Sequence, residues 1–156
     1  MPKIHGMFLV FCLLLGSSEL WAQSGSVLRV PPNARHLRDI PTGTMKLIAI
    51  DTQIRNISNL PSGLRELDFT GSPVHQVMNL PAGLEVLRLA RTRVDRVINL
   101  PSSLRVLDLS RTSVSRVTGL PNGLRVLRLS RTRVTRVLNL PRELRILDLS
   151  GSHVEH

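Results

Sequence analysis

From Ile40 onward, apolar residues recur at fixed offsets every 20 residues without a slip. Each unit opens on an apolar-proline step, at Ile40-Pro41, Leu60-Pro61, Leu80-Pro81, Leu100-Pro101, Leu120-Pro121 and Leu140-Pro141. Core offsets then hold Leu64, Leu67, Phe69, Val74 and Val77, followed by Leu84, Leu87, Leu89, Val94 and Val97, and so on through Val137. The first unit is degenerate, with Thr44 and Ala49 at core offsets, and the last stops after Val154. Period-two alternation at Leu67 and Phe69, and again at Leu87 and Leu89, predicts a short strand in every unit. One such unit cannot bury its apolar face, whereas five full units and a partial sixth can stack into a continuous core. Stacking places the strands in a parallel ladder about 4.8 Å apart. The proline fixes φ, and Gly43, Gly63, Gly83 and Gly123 two residues later suit a tight turn. So short a unit has no room for a helix, and its convex side is expected to be extended or turn-like.

The stretch Leu104–Val114 has the form L-x-x-L-x-L-x-x-T-x-V. This resembles the leucine-rich repeat family, and the resemblance covers residues 40–156. The 20-residue length and the LPxxL start resemble the short-repeat subclass seen in bacterial effectors. Thr or Ser in place of the usual Asn is similar to surface antigens of kinetoplastid parasites, whose repeats are longer. The resemblance implies a leucine-rich-repeat solenoid with one short parallel strand per unit on its concave face, serving as a non-enzymatic interaction scaffold. Thr52, Ser72, Thr92, Thr112, Thr132 and Ser152 lie where the family uses Asn to bond backbone groups of neighbouring coils. A hydroxyl offers one donor and is expected to support that ladder more weakly than an amide.

Stacking turns offsets into columns. One outward strand column reads Lys46, Glu66, Val86, Val106, Val126, Ile146. Its four β-branched members form an apolar stripe on the concave face, either as plain strand propensity or as a contact strip. The next outward column reads Ile48, Asp68, Arg88, Asp108, Arg128, Asp148, and its alternating signs suit pairing between neighbouring strands. Two other columns are unbalanced: Asp51, Gly71, Arg91, Arg111, Arg131, Gly151, and Asn56, Gln76, Arg96, Arg116, Arg136, His156. Arg65, Arg105, Arg125 and Arg145 lie one residue before the apolar stripe. Stacked like charges repel unless solvent or a partner offsets them. Guanidinium forks match carboxylate, sulfate and phosphate, so a basic ridge is either a solvated edge or an anion site.

Residues 1–22 read as a secretory signal peptide, with Lys3 and His5 before the apolar run Phe8–Leu15 and a small, polar exit ending at Ala22. That run is far short of the roughly 20 residues a bilayer span needs, and no lipid-anchor signal follows, so a secreted, extracellular product is expected. Residues 23–39, with Pro31-Pro32, are expected to form a partial N-terminal cap before the repeats at 40–156. The formal charge is +10, carried by 19 Arg and only 2 Lys. Aromatic content is 3%, which argues against a base-stacking platform and makes nucleic acid an improbable partner. Cys12 is the only cysteine and falls in the leader, so disulfides and thiolate metal sites in the body are excluded. No nucleophile elbow, phosphate loop or metalloprotease motif appears, and neither a cofactor, a metal nor catalysis is expected.

The residues expected to hold a ligand are Val86, Val106, Val126 and Ile146 for apolar contact, with Arg88, Arg91, Arg111, Arg128 and Arg131 orienting an acidic protein. The alternatives are a polyanion such as a sulfated glycan along the Arg columns, or a surface-coat component that self-associates through an uncapped C-terminal edge. Asn56-Ile57-Ser58 is a glycosylation sequon in an exposed column.

Overall fold

The computed structural model describes residues 22–24 and 26–154, and residues 1–21 of the predicted leader lie outside them. Ten short strands follow one another: β1 (Ala22–Ser24), β2 (Val27–Arg29), β3 (Lys46–Ile48), β4 (Asn56–Ile57), β5 (Glu66–Asp68), β6 (Gln76–Val77), β7 (Val86–Arg88), β8 (Val106–Asp108), β9 (Val126–Arg128) and β10 (Ile146–Asp148). Eight of them form one sheet in the order β1-β2-β3-β5-β7-β8-β9-β10. All neighbours in it run parallel except β1 and β2. Register follows the repeat, with Leu47, Leu67, Leu87, Leu107, Leu127 and Leu147 opposite one another in turn. The opposite side is mostly irregular, with β4 paired to β6 and an isolated bridge between Val117 and Val137. Among the described residues there is no helix.

Each coil begins with a turn closed by the amide three residues after the proline on that proline's carbonyl. Examples are Leu64 N–H to Pro61 O at 3.1 Å and Leu104 N–H to Pro101 O at 3.1 Å. The strand follows, its central leucine pointing inward and its two outer residues half-exposed. A second turn then carries the Thr or Ser column into the core, where Thr52, Ser72, Thr92, Thr112 and Thr132 are buried. These hydroxyls act differently from the family's Asn. Thr92, Thr112 and Thr132 donate within their own coil, to the carbonyls of Leu89, Leu109 and Leu129 at 2.6–2.7 Å. Among these described hydroxyls only the Thr52–Ser72 pair bridges coils: the two hydroxyls bond each other at 2.8 Å, and Ser72 donates to Ala49 O at 2.7 Å and accepts from Thr52 N–H at 3.0 Å. A short hydroxyl reaches the preceding turn but not, in general, the next coil. Backbone amides therefore carry the ladder between coils, as in Leu89 N–H to Asp108 O at 2.8 Å.

The core is one stack of apolar side chains, aliphatic except for Phe69, from Leu28 to Val134. Volumes compensate between adjacent coils: Ala49 and Phe69 occupy the same column one coil apart, and both are fully buried. Unlike the hydrogen-bonded Thr and Ser column, Thr44 is fully buried at an offset that holds leucine in later units, with its Oγ1 lacking a hydrogen-bond partner. An unmet buried hydroxyl costs about 1–3 kcal/mol. Thr44→Val, which keeps the shape and removes the hydroxyl, is therefore expected to raise the unfolding free energy by about 1 kcal/mol in urea titrations.

Candidate functional site on the strand face

On the concave sheet the apolar stripe forms in register, Val86 opposite Val106, Val106 opposite Val126 and Val126 opposite Ile146. The three valines are half-buried between their neighbours, while Ile146 is 48% exposed. At the N-terminal end of the same column, Glu66 sits between two cations. Lys46 Nζ lies 3.0 Å away, and the Arg88 guanidinium donates to the other carboxylate oxygen. Partial burial alone would push the Glu66 carboxyl up, but hydrogen bonds from Lys46 and Arg88, with their charges, outweigh it and hold it below 4.5. A depressed carboxylate stabilises the fold above its unfolded value and loses that contribution as pH falls through its folded value. Glu66→Gln should thus cost about 1 kcal/mol at pH 7, and urea midpoints should converge with wild type as pH falls well below 4.5.

The alternating column works less through cross-strand pairing than its signs suggest. Arg128 approaches Asp108 at 4.0 Å, but Arg88 turns to Glu66 instead. The aspartates have another role: Asp68, Asp108 and Asp148 each accept the amide two residues on, from Thr70, Ser110 and Ser150 at 2.9–3.0 Å. They cap the turn that leaves the strand. The hydrogen bonds from Ser150 hold the Asp148 carboxyl below its ordinary range.

The arginine column that follows occupies an unfavourable backbone conformation. Arg91, Arg111 and Arg131 have φ of 58°, 57° and 54°, the left-handed region, as do Asp51, Gly71 and Gly151 in the same column. The ladder imposes it, because the Arg91, Arg111 and Arg131 amides each donate at 2.8 Å to the next coil's serine carbonyl. For an L-residue this costs about 1–2 kcal/mol. At Gly71 a Cβ would lie 1.8 Å from Asp51 Oδ1, so a larger residue there would displace the Asp51 carboxylate from its present position. Across that gap Arg91 pairs with Asp51 at 3.2 Å, two coils away. Among the described residues, Arg111 and Arg131 have neither an ion pair nor a side-chain hydrogen bond. In the column before the apolar stripe, Arg65, Arg105 and Arg125 are instead committed internally. Arg65 and Arg105 donate to Gly83 O and Gly123 O at 3.1 and 2.8 Å, and Arg105 and Arg125 approach Glu143 at 3.8 and 3.7 Å. Gly83 and Gly123 have no left-handed φ. Their turns run under the arginines, so a Cβ at Gly83 would press on Arg65 Nη1 and one at Gly123 would collide with Arg105 Nη1.

This coil and ladder recur in solved structures. YopM from Yersinia enterocolitica WA-314 superposes with a TM-score of 0.72 at 30% identity over 76% of this chain. The effector LRR domain from Shigella superposes with a TM-score of 0.78 at 22% identity over 84%, and the leucine-rich effector YopM from Yersinia pestis with 0.69 at 20% over 78%. The chain is a leucine-rich repeat protein. It spans 26%, 60% and 37% of those three chains respectively. No family model and no curated protein matches it.

The repeat protein thus brings Val86, Val106, Val126, Ile146, Arg88 and Arg128 onto one sheet face, with Arg91, Arg111 and Arg131 on the turn beside it. Asn56 lies elsewhere, exposed in β4, on an open groove lined also by Arg35, His36 and Arg55. Two features escaped sequence reasoning, although each left a signal. The left-handed column is legible in the company of Asp51, Gly71 and Gly151, since Gly and Asp favour positive φ. A second left-handed column, Asp39, Asn59, Asn79, Asn99, Gly119 and Asn139, has the same signature just before the apolar-proline step. Among the described residues no group of three metal-ligating side chains converges, and no helix is long and apolar enough to cross a membrane.

Proposed function

We propose that this leucine-rich repeat protein is a secreted, non-enzymatic binding module that holds an acidic protein ligand on its concave strand face. Its repeat fold supports a protein-interaction role, and the observation that carries the finer reading is the registered valine stripe beside Arg111 and Arg131. Among the described residues those two cations have no partner, and they sit where the backbone would favour glycine. Val86, Val106, Val126 and Ile146 supply area removed from water on binding, while Arg88, Arg128 and the Arg91–Arg111–Arg131 turn column orient carboxylates. The same column, in which Arg111 and Arg131 have no partner among the described residues, favours a second reading, a sulfated or otherwise anionic polymer laid along the turns.

Salt dependence separates the two. Binding to a heparin-type polyanion is measured across a salt series, for wild type and for a variant carrying Arg91→Ser, Arg111→Ser and Arg131→Ser. Tight binding that falls steeply with salt and collapses in the variant supports the polymer reading. Equally weak binding by both directs the site to protein ligands, whose contact with the valine stripe should survive moderate salt and fail on Val106→Asp.

A further inference from the structure

Charge is sorted unevenly between the two sides of the coil. Apart from Asp39, Asp95 and Glu143, the acids of the described repeats lie on the strand, immediately before it or on its exit turn. Seven of the eight ion pairs among the described residues engage one of those acids or Glu143. On the opposite side, residues 53–59, 73–79, 93–99, 113–119 and 133–139 carry six arginines, namely Arg55, Arg93, Arg96, Arg116, Arg133 and Arg136. Their only acid is Asp95, 3.8 Å from Arg96. Alternation about the buried Val77, Val97 and Val117 turns two columns outward together. One is Gln76, Arg96, Arg116, Arg136; the other is Met78, Ile98, Thr118, Leu138. Met78, Ile98 and Leu138 are 54%, 49% and 66% exposed. Large aliphatic side chains are therefore kept in water in one column of the stacked coils, beside a column of arginines.

We propose that this convex face docks peripherally on an anionic phospholipid bilayer. The aliphatic column enters the boundary between headgroups and acyl chains while Arg96, Arg116 and Arg136 meet the phosphates, the pairing of apolar burial and cationic attraction that holds monotopic proteins on such surfaces. A lipid surface fits this face better than a protein partner does. Six arginines stand here against a single acid, and the exposed aliphatic side chains run beside them in one column. A fluid surface needs no complementary pocket and neutralises a one-signed patch. Docking here leaves the strand face free, so this inference stands apart from the ligand proposed for that face.

Flotation of the full chain with vesicles tests it. Vesicles of pure phosphatidylcholine are compared with vesicles holding about one-third phosphatidylserine, for three variants and wild type. Wild type should float with the anionic vesicles and not with the neutral ones. Arg96→Ser, Arg116→Ser and Arg136→Ser together should weaken binding by about 100-fold, at roughly tenfold or less for each cation. Met78→Ser, Ile98→Ser and Leu138→Ser together should weaken it at least about tenfold, while leaving heparin binding unchanged. Arg91→Ser, Arg111→Ser and Arg131→Ser should leave flotation as in wild type. The inference is overturned if the aliphatic variant floats like wild type, because binding then rests on the N-terminal apolar run or on charge alone. Equal flotation with neutral vesicles, or association of the chain with itself through this face while vesicles stay bare, overturns it too.

Discussion

Leu107→Ala is expected to lower the unfolding free energy by about 2–5 kcal/mol, whereas Leu147→Ala, the same change in the same column, should cost less than about 1.5 kcal/mol. Both leucines are the central residue of a three-residue strand and both pair in register with a leucine one coil before. They differ in what covers them. Leu107 is fully buried between Leu87 and Leu127, while Leu147 is 37% exposed and its strand has a neighbour on one side only. Truncating Leu107 opens a cavity that backbone ladders on both flanks prevent from collapsing, so transfer and cavity costs add. At Leu147 solvent already reaches the site and fills the space. Urea titrations of the two variants measure the difference. A cost at Leu147 equal to that at Leu107 would mean that the last coil is covered in solution by something else.

The second large effect is a spread rather than a loss. Arg111→Gly should stabilise the protein by about 0.5–1 kcal/mol, and Arg111→Val should destabilise it by about 1–2 kcal/mol. Arg111 is chosen because its φ of 57° is fixed by its amide bond to Ser130 O at 2.8 Å, while its side chain has no described partner whose loss would confuse the comparison. Glycine removes the Cβ clash of the left-handed region, less its own larger entropy loss. Valine adds a branched Cβ that this region scarcely admits. Urea midpoints read both signs. A glycine variant less stable than wild type would show that Arg111 contributes packing that outweighs its backbone cost. If the glycine variant gains stability and loses affinity for an anionic ligand, then the column trades stability for binding, as functional sites commonly do.

The hydrophobic spacing was sufficient to specify the solenoid. Six occurrences of an apolar-proline step at a constant interval admit one register, because a slip of a single residue would turn every core leucine outward. The columns followed from that register, and so did the apolar stripe of Val86, Val106, Val126 and Ile146. Side-chain partners did not follow. Arg88 had an aspartate on either side in its own column but bonds Glu66 diagonally, because a long flexible side chain chooses among carboxylates by angle and solvation. Asp68, Asp108 and Asp148 read as half of a charge ladder, yet they spend an oxygen on the turn amide two residues on.

Repetition in the sequence therefore determined the fold, the register and which residues share a column, since these depend only on where the chain must hide apolar surface at a fixed interval. The tertiary structure alone decided which of the stacked arginines are spent. Arg65 and Arg105 fold over neighbouring turns, Arg91 reaches Asp51 across the space left by Gly71, and Arg111 and Arg131 are left unpaired among the described residues on a strained backbone. Those outcomes depend on distances of a few ångströms between coils 20 or 40 residues apart, and no spacing rule along the chain contains them.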